Sequence, residues 1–241
     1  KGKRNNGNRF IKAALKKGAG CVITNTGKDR KGNKKIIKYK SPISFLNRFA
    51  YFKRVKTSAK IVAITGSAGK TSLKNLIANL LQNFGKTYSS PKSFNNHLGV
   101  PISLSNLNFH DKFGIFEVGM SKAGEIKKLT NLIKPHIGVI TNIGEAHIEN
   151  FKNIQGVAKA KSEIIEKIKP GGTIILNKDD KFFKYLFKKA KSYKLKVSTF
   201  GFHKNSDIFV KKIIKKKNSS LIYVNVKGQI MEFKINDLNI Y

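Results

Sequence analysis

The stretch Ile61-Val62-Ala63-Ile64-Thr65-Gly66-Ser67-Ala68-Gly69-Lys70-Thr71-Ser72 limits what this chain can fold into more than any other. An apolar, β-branched run feeds a short turn bearing two glycines, and the turn ends in Gly-Lys-Thr-Ser. Leu73, Leu76, Ile77, Leu80 and Leu81 follow at helical spacing. This is the strand–loop–helix layout of a phosphate-binding loop. Glycines let the backbone curl so that successive N–H groups point at one anion, and the helix N-terminus adds the positive end of its dipole. In that layout Gly66, Ser67, Ala68, Gly69, Lys70, Thr71 and Ser72 surround the phosphates. Lys70 reaches their outer oxygens and the Thr71 hydroxyl holds Mg²⁺. The general pattern asks for a glycine where Ile64 stands, so the loop is the shorter form, Thr-Gly-x-x-Gly-Lys-Thr. A strand–turn–helix with a chance Gly-Lys-Thr is the plainer alternative. A strand before, a helix after and a hydroxyl in place favour nucleotide binding.

Downstream of this loop, strand and helix patterns alternate. Strands are expected at Thr87-Tyr88-Ser89, Phe113 to Val118, Ile137 to Thr141, Thr173 to Leu176 and Val197 to Phe200. Helical spacing runs from Val100 to Leu107, from Glu125 to Ile133, from Ile154 to Ile168 and from Phe182 to Lys191. That rhythm predicts an α/β fold, a largely parallel sheet flanked by helices on both faces. Ile208 to Ile214, Ser220 to Val226 and Ile230 to Ile235 instead alternate apolar and polar residues around Lys227-Gly228, which predicts an antiparallel edge region. Upstream, Phe10 to Lys17 reads as a short helix, Cys21 to Thr24 and Ile36 to Tyr39 as strands with a polar loop from Thr26 to Lys35 between them, and Ser41-Pro42 opens a helix. A boundary is expected near Lys56-Thr57-Ser58. Residues 1–56 read as the tail of a small N-terminal α/β domain and residues 57–241 as the central domain.

Forty per cent hydrophobic residues can supply a core, and no run is long and apolar enough to span a bilayer. Cys21 is the only cysteine, which excludes an internal disulfide and a cysteine metal cluster. With no secretory pattern at the start, the expected compartment is the cytoplasm. The formal net charge is +36, from 49 Lys and Arg against 13 Asp and Glu. The lysines are spread along the whole chain and fall on the polar faces of the expected helices, without a zinc-finger or aromatic RNA-binding signature. The charge therefore implies nonspecific attraction of polyanions rather than a dedicated nucleic-acid site.

Ligands of open α/β sheets gather at the C-terminal ends of the strands, and four further segments lie there. Glu117 ends an apolar strand, where an acid is costly unless it is used; it binds Mg²⁺ or pairs with a surface lysine. His147 follows the turn Asn142-Ile143-Gly144 and either ligates a metal or touches a phosphate, or is structural. Asn95-Asn96 precede a helix start and read, taken alone, as a cap. Asn177, at the end of its strand, offers an amide to a base edge or forms an Asx turn. Lys161, on the helix after His147, carries no signal by itself.

Taken in order, these segments resemble the Mur ligase superfamily. The resemblance rests on Thr65 to Ser72, Asn95-Asn96-His97-Leu98-Gly99-Val100-Pro101, Glu117-Val118-Gly119-Met120, Thr141-Asn142-Ile143-Gly144-Glu145-Ala146-His147-Ile148-Glu149, Ala158-Lys159-Ala160-Lys161-Ser162-Glu163-Ile164 and Leu176-Asn177-Lys178-Asp179-Asp180. It covers roughly Phe10 to Phe202. The Asn-Asn-x-x-Gly-Val-Pro and Ala-Lys-Ala-Lys-x-Glu-Ile elements are similar to the branch that joins D-alanyl-D-alanine to UDP-N-acetylmuramoyl-tripeptide, more than to its sibling ligases or the folylpolyglutamate synthetases. The resemblance implies an ATP- and Mg²⁺-dependent ligase of peptidoglycan precursor synthesis that works through an acyl phosphate. By the same resemblance Thr71 and Glu117 hold one Mg²⁺, and His147 helps at a second. Lys161 matches the lysine that this family carbamylates, a change from cation to anion that lets it sit beside metals. Asn96 faces the transferring phosphate or substrate, and Asn177 the adenine.

Two departures stand out. Met120-Ser121-Lys122 replaces a common Ala-Asn-His, and Lys178 replaces a small residue. The family's full UDP-gripping and C-terminal domains do not fit into this length, so the chain alone is expected to be a monomeric ATP-binding core with little ligase activity. The alternatives are another acid–amino-acid ligase of the superfamily and a polyanion-binding P-loop protein. A generic P-loop kinase or motor would leave Asn95-Asn96 and Lys161 without a role.

Overall fold

A computed structural model of the chain describes residues 6–25 and 34–236. The loop expected from Thr26 lies, up to Asn33, outside the described residues. A 3-10 turn at Gly7–Phe10 leads into α1 (Ile11–Lys16). Two short strands, β1 (Val22–Thr24) and β2 (Ile36–Lys38), then pair in parallel as a small sheet of their own. Ser41 starts α2 (Pro42–Lys56): its hydroxyl accepts from the Ser44 amide at 3.3 Å, and Pro42 fills the first turn, where no amide hydrogen is needed. The buried Arg54 of α2 donates to the carbonyls of Ile133 (2.5 Å) and Lys134 (2.6 Å).

The main sheet has nine strands. In chain order they are β3 (Lys60–Thr65), β4 (Thr87–Ser89), β5 (Phe113–Glu117), β6 (Ile137–Ile140), β7 (Thr173–Asn177), β8 (Lys196–Gly201), β9 (Ile208–Lys216), β10 (Ser219–Val226) and β11 (Gln229–Asn236). Their spatial order is β11-β10-β9-β8-β7-β6-β3-β5-β4. Pairing is parallel from β4 to β9 and antiparallel from β9 to β11. Only two residue pairs join β8 to β9, Phe200 with Ile208 and Gly201 with Phe209. β9 thus starts beside the end of β8 and runs beyond it, so a short connection suffices where a full parallel crossover would need a dozen residues or more.

The centre of the sheet is buried on both faces, which is why β3 reads as a continuous apolar run. Ile61 and Ala63 join Phe116, Ile140, Val100, Leu104 and Ile126 on one face. Val62 and Ile64 join Ile115, Val139 and Ala78 on the other. The first face carries α4 (Gly99–Asn106), α5 (Glu125–Ile133), α6 (Ile154–Lys161) and α7 (Phe183–Ser192). The second is covered by α3 (Lys70–Gln82) through Leu73, Ile77 and Leu81. Each fully buried Ile or Phe contributes about 1.5–3 kcal/mol.

One element differs from the sequence expectation in a way that touches the site. The helix expected to run unbroken to Ile168 is α-helical only to Lys161 and continues as a 3-10 helix over Ser162–Lys167. The Ser162 hydroxyl donates back to the Lys159 carbonyl, three residues earlier, at 2.7 Å. Glu163 is drawn sideways to the Gly124 and Lys127 amides of α5. The tighter winding begins right after Lys161. No helix among the described residues is long and apolar enough to cross a membrane.

Candidate active site

The loop between β3 and α3 lies at the C-terminal edge of the sheet, beside the ends of β5 and β6. Gly66 has φ +150, and a Cβ there would meet the Thr141 hydroxyl oxygen at 1.8 Å. Glycine at this position is a demand of space as well as of conformation. Gly69 sits at φ +78 and starts α3 without a side-chain cap. The turn after β6 braces the loop from beside. Asn142 Oδ1 accepts from the amides of Ser67 (3.1 Å) and Ala68 (2.9 Å). The Ser67 hydroxyl donates to the Gly144 carbonyl (2.9 Å) and accepts from the Gly144 amide (2.7 Å). The Thr141 hydroxyl donates to the Ala68 carbonyl at 2.6 Å. Among the described residues, no side chain accepts from the amides of Lys70, Thr71 or Ser72, so the first turn of α3 is the part of the loop open to an anion.

Glu117, the last residue of β5, is 2% exposed. Its Oε2 accepts from the Thr71 hydroxyl at 2.7 Å, and its Oε1 from the Asn95 side-chain amide at 2.7 Å. Both hydrogen-bond partners are neutral groups, and the buried Lys74 ammonium lies close enough for its charge to be felt across the gap to Glu117. The Thr71 hydroxyl, having donated its hydrogen to Glu117, keeps its lone pairs for a metal. That set suits Mg²⁺, which takes one or two protein oxygens and completes its octahedron with water and phosphate. No group of three or more His, Cys, Asp or Glu gathers among the described residues, so a cage built wholly of these side chains is absent there.

Lys161 is 2% exposed and donates to the Gly66 carbonyl at 3.0 Å. Lys70 donates to the same carbonyl at 2.8 Å. Burial, with the Lys70 charge close by, pulls the Lys161 ammonium down to about 8. His147 has a left-handed backbone (φ +64), with Nδ1 3.9 Å from the Glu149 carboxylate.

A cavity of about 570 Å³ opens beside the loop. Gly66, Lys70, Asn95, Asn96, His147 and Lys161 are among its lining residues, together with Met120, Ser121, Glu125, Lys128 and Leu129. Four residues singled out from sequence, Lys70, Asn96, His147 and Lys161, thus line one cavity. Asn96 also caps α4: its Oδ1 accepts from the amides of Leu98 (3.0 Å) and Gly99 (2.9 Å), leaving only its amide NH₂ for the cavity. Asn177 stands apart, outside the cavity lining; its Oδ1 accepts from the Asp179 amide at 2.9 Å in an Asx turn.

Asn142 and Lys74, given no role from sequence, prove structurally central, and so does Asn95, read from sequence only as part of a cap. For Asn95 and Asn142 no local signal exists, because their partners lie 22 and about 75 positions away. Lys74 did leave a signal, a charged residue on the buried stripe that Ala78 occupies one turn later.

Residues 64–238 match the family model of the Mur ligase middle domain. The UDP-N-acetylmuramoyl-tripeptide–D-alanyl-D-alanine ligase of Buchnera aphidicola is 39% identical over 221 residues, 92% of this chain and 45% of that protein. A crystal structure of MurF from Acinetobacter baumannii superposes with a TM-score of 0.89 at 26% identity, over 100% of this chain and 51% of its own. The MurF ligase of Thermotoga maritima in complex with ADP gives 0.84 at 27%, over 97% and 53%. The chain spans about half the length of the curated relatives it matches. A matched middle domain over most of its length, with the glycine loop and the lysine of α6 lining one cavity, makes this chain a member of the Mur ligase family.

Proposed function

We propose that this chain carries the ATP-binding centre of a ligase that joins D-alanyl-D-alanine to UDP-N-acetylmuramoyl-tripeptide in peptidoglycan precursor synthesis. The observation that carries the reading is the one cavity lined by Lys70, Lys161, His147 and Asn96 in a chain 39% identical to a ligase of that name. Residues 57–241 form its nucleotide-binding domain, and residues 1–56 belong to the region that grips the UDP moiety. The protein works as a monomer in the cytoplasm.

The substrate carboxylate attacks the γ-phosphorus of ATP, ADP leaves, and an acyl phosphate forms. The amine of D-alanyl-D-alanine then attacks the acyl carbon, phosphate leaves and the amine proton is lost. This chain's part is positioning and charge. The amides of Lys70, Thr71 and Ser72 hold the phosphates at the dipole end of α3, with Gly66 to Gly69 shaping the turn. Lys70 Nζ exchanges the carbonyls of Gly66 and Ser67, which it now bonds, for phosphate oxygens. Thr71 and Glu117 would hold Mg²⁺, and His147 with Lys161 as its carbamate would hold a second ion; metal bound there would neutralise charge on the transferring phosphoryl group. Asn96 offers its NH₂ to that group, and Asn177 its amide to the adenine. Lys161 suits carbamylation because the reaction needs the neutral amine. With a pKa of about 8, about a tenth of it is neutral at pH 7, against less than a thousandth for an ordinary lysine.

The test is phosphate release by the intact protein with MgATP, the UDP-muramoyl tripeptide and D-alanyl-D-alanine, omitting each in turn. Release requiring all three supports the reading. Release indifferent to both acceptor substrates keeps the nucleotide site and removes this substrate assignment.

A further inference from the structure

Lys74 is a fully buried cation that the reaction does not use directly. It lies on α3 three residues after Thr71, at 1% exposure. Its Nζ donates to the carbonyls of Ser90 (2.7 Å) and Lys92 (2.8 Å), in the segment that follows β4. Lys92 has φ +40, a left-handed conformation uncommon for lysine. The same segment leads to Asn95, whose side chain holds Glu117 Oε1 and whose carbonyl accepts from the Gly119 amide at 2.8 Å. Ser90 also meets Glu117 directly, its hydroxyl accepting from the Glu117 amide at 3.3 Å.

Glu117 is therefore gripped from two sides. Thr71 holds one oxygen from α3, and Asn95 holds the other from the 90–96 loop. Lys74 is the tie between the two holders. Packing alone does not call for it: burying an ammonium costs several kcal/mol, and a methionine would suit the α3 stripe beside Leu73 and Ala78 at no such cost.

We propose that Lys74 is a positioning residue: by fastening the 90–96 loop to the phosphate-binding helix, it sets Asn95 and through it the orientation of the Glu117 carboxylate toward Mg²⁺. The proposal rests on the nucleotide-site reading above. It predicts that Lys74 governs the metal-dependent part of nucleotide affinity and leaves the metal-independent part alone, since the amides of Lys70, Thr71 and Ser72 stay on α3.

The experiment compares wild type, Lys74→Met, Asn95→Ala and the double variant in the intact protein. ADP affinity is measured by calorimetry in EDTA and in excess Mg²⁺, and amide hydrogen exchange is followed without ligand. For Lys74→Met we expect faster exchange across 90–96 with α3 unchanged. Its ADP affinity in EDTA should stay within about 2-fold of wild type, while the gain from Mg²⁺ falls about 10-fold. Asn95→Ala should lose the same gain, and the double variant no more than either single one, because the two act in series. Should Lys74→Met not fold, Lys74→Gln, which keeps a shorter donor, takes its place in the comparison. An unchanged Mg²⁺ gain overturns the proposal. So does additivity in the double variant, or an equal loss with and without Mg²⁺ accompanied by faster exchange throughout α3. A wild-type protein that binds no ADP overturns the nucleotide-site reading and this proposal with it, whereas wild-type binding with an indifferent Lys74→Met overturns this proposal alone.

Discussion

Two helices of this molecule begin in the same way and are finished differently. α3 and α5 both start after a left-handed glycine, Gly69 at φ +78 and Gly124 at φ +84. At α5 the exposed amides are taken up by carboxylates. Glu163 accepts from Gly124 (2.6 Å) and Lys127 (3.0 Å), and Glu125 accepts from Ser121 (2.6 Å) and Lys122 (3.1 Å). At α3 there is no acidic residue in the first turn, and two lysines, Lys70 and Lys161, converge on the Gly66 carbonyl just before it. A helix N-terminus attracts negative charge. α5 has been given that charge by its own chain, and its end is a joint between helices. α3 has been given cations instead, so the negative charge must come from outside.

If that contrast is what makes α3 a site, removing a cation from its mouth should be costly in function and cheap in fold. Lys70→Ala is expected to lower turnover by about 10²–10³-fold, the usual cost of removing one donor to a developing charge. Its two bonds are to part-buried loop carbonyls, and Lys161 still serves the Gly66 carbonyl once Lys70 is gone, so the unfolding midpoint should hardly move. Activity near wild type would take Lys70 out of the site. Lys161 gives the next largest effect, and here the fold is affected through pH. Its ammonium sits at about 8 in the folded chain against an ordinary 10.5, so between those values the unfolded chain holds a proton that the folded chain has released. Stability from this group therefore rises as pH increases from 8 to 10.5, by up to about 3 kcal/mol, and is flat below 8. Denaturant titrations in carbon-dioxide-free buffer should show that rise in wild type and not in Lys161→Met. Equal slopes in the two proteins would mean the ammonium is not held in a desolvated place.

The two helix starts also show where sequence reasoning succeeds. The existence and order of β3, α3, α5 and β6 follow from local patterns: an apolar run, a glycine turn, periodic leucines and isoleucines. The loop with its lysine and threonine is local too, and so is the acid ending β5. What is not local stays hidden in the sequence. Nothing near Asn142 says that its side chain will take the Ser67 and Ala68 amides, and nothing near Glu163 says that it will close α5 some 40 positions earlier. The adjacent Asn95 and Asn96 illustrate the limit best. Their position before a helix announces a cap, and Asn96 is one, but only the folded sheet brings Glu117 within reach of Asn95. Along the far edge the balance reverses: β9 to β11 are readable from local pattern alone, because each pairs with its neighbour in sequence across a short turn, and β11 is exposed along its whole length.

Adding to α3 the charge that α5 has is a milder perturbation with a divided outcome. Ser72→Asp puts a carboxylate in the first turn of α3, at an exposed position. It should stabilise the helix by about 0.3–1 kcal/mol and at the same time weaken ADP binding by about 10-fold, since the new carboxylate and the phosphate compete for one end of one dipole. Thermal melting and calorimetry on the same sample separate the two. A variant that loses both stability and affinity would show only a damaged loop.

The reverse change at α5 has the smallest expected effect on nucleotide affinity and is the most discriminating. Glu163→Gln removes the charge that faces the Gly124 and Lys127 amides and, because each amide bonds a different carboxylate oxygen, one of the two hydrogen bonds as well. A carboxylate at a helix N-terminus contributes about 0.3–1 kcal/mol and the lost bond about 0.5–1.5 kcal/mol, so stability should fall by about 1–2 kcal/mol. ADP affinity should not change, because α5 meets the cavity through Glu125, Lys128 and Leu129, and Glu163 is not part of the lining. Glu163 does lie two residues after Lys161, on the first turn of the 3-10 segment. If nucleotide affinity fell along with stability, the carboxylate at α5 would be holding Lys161 in place as well. The two helix ends would then be one coupled unit, joined through the α6 to 3-10 transition, and not two independent uses of the same backbone geometry.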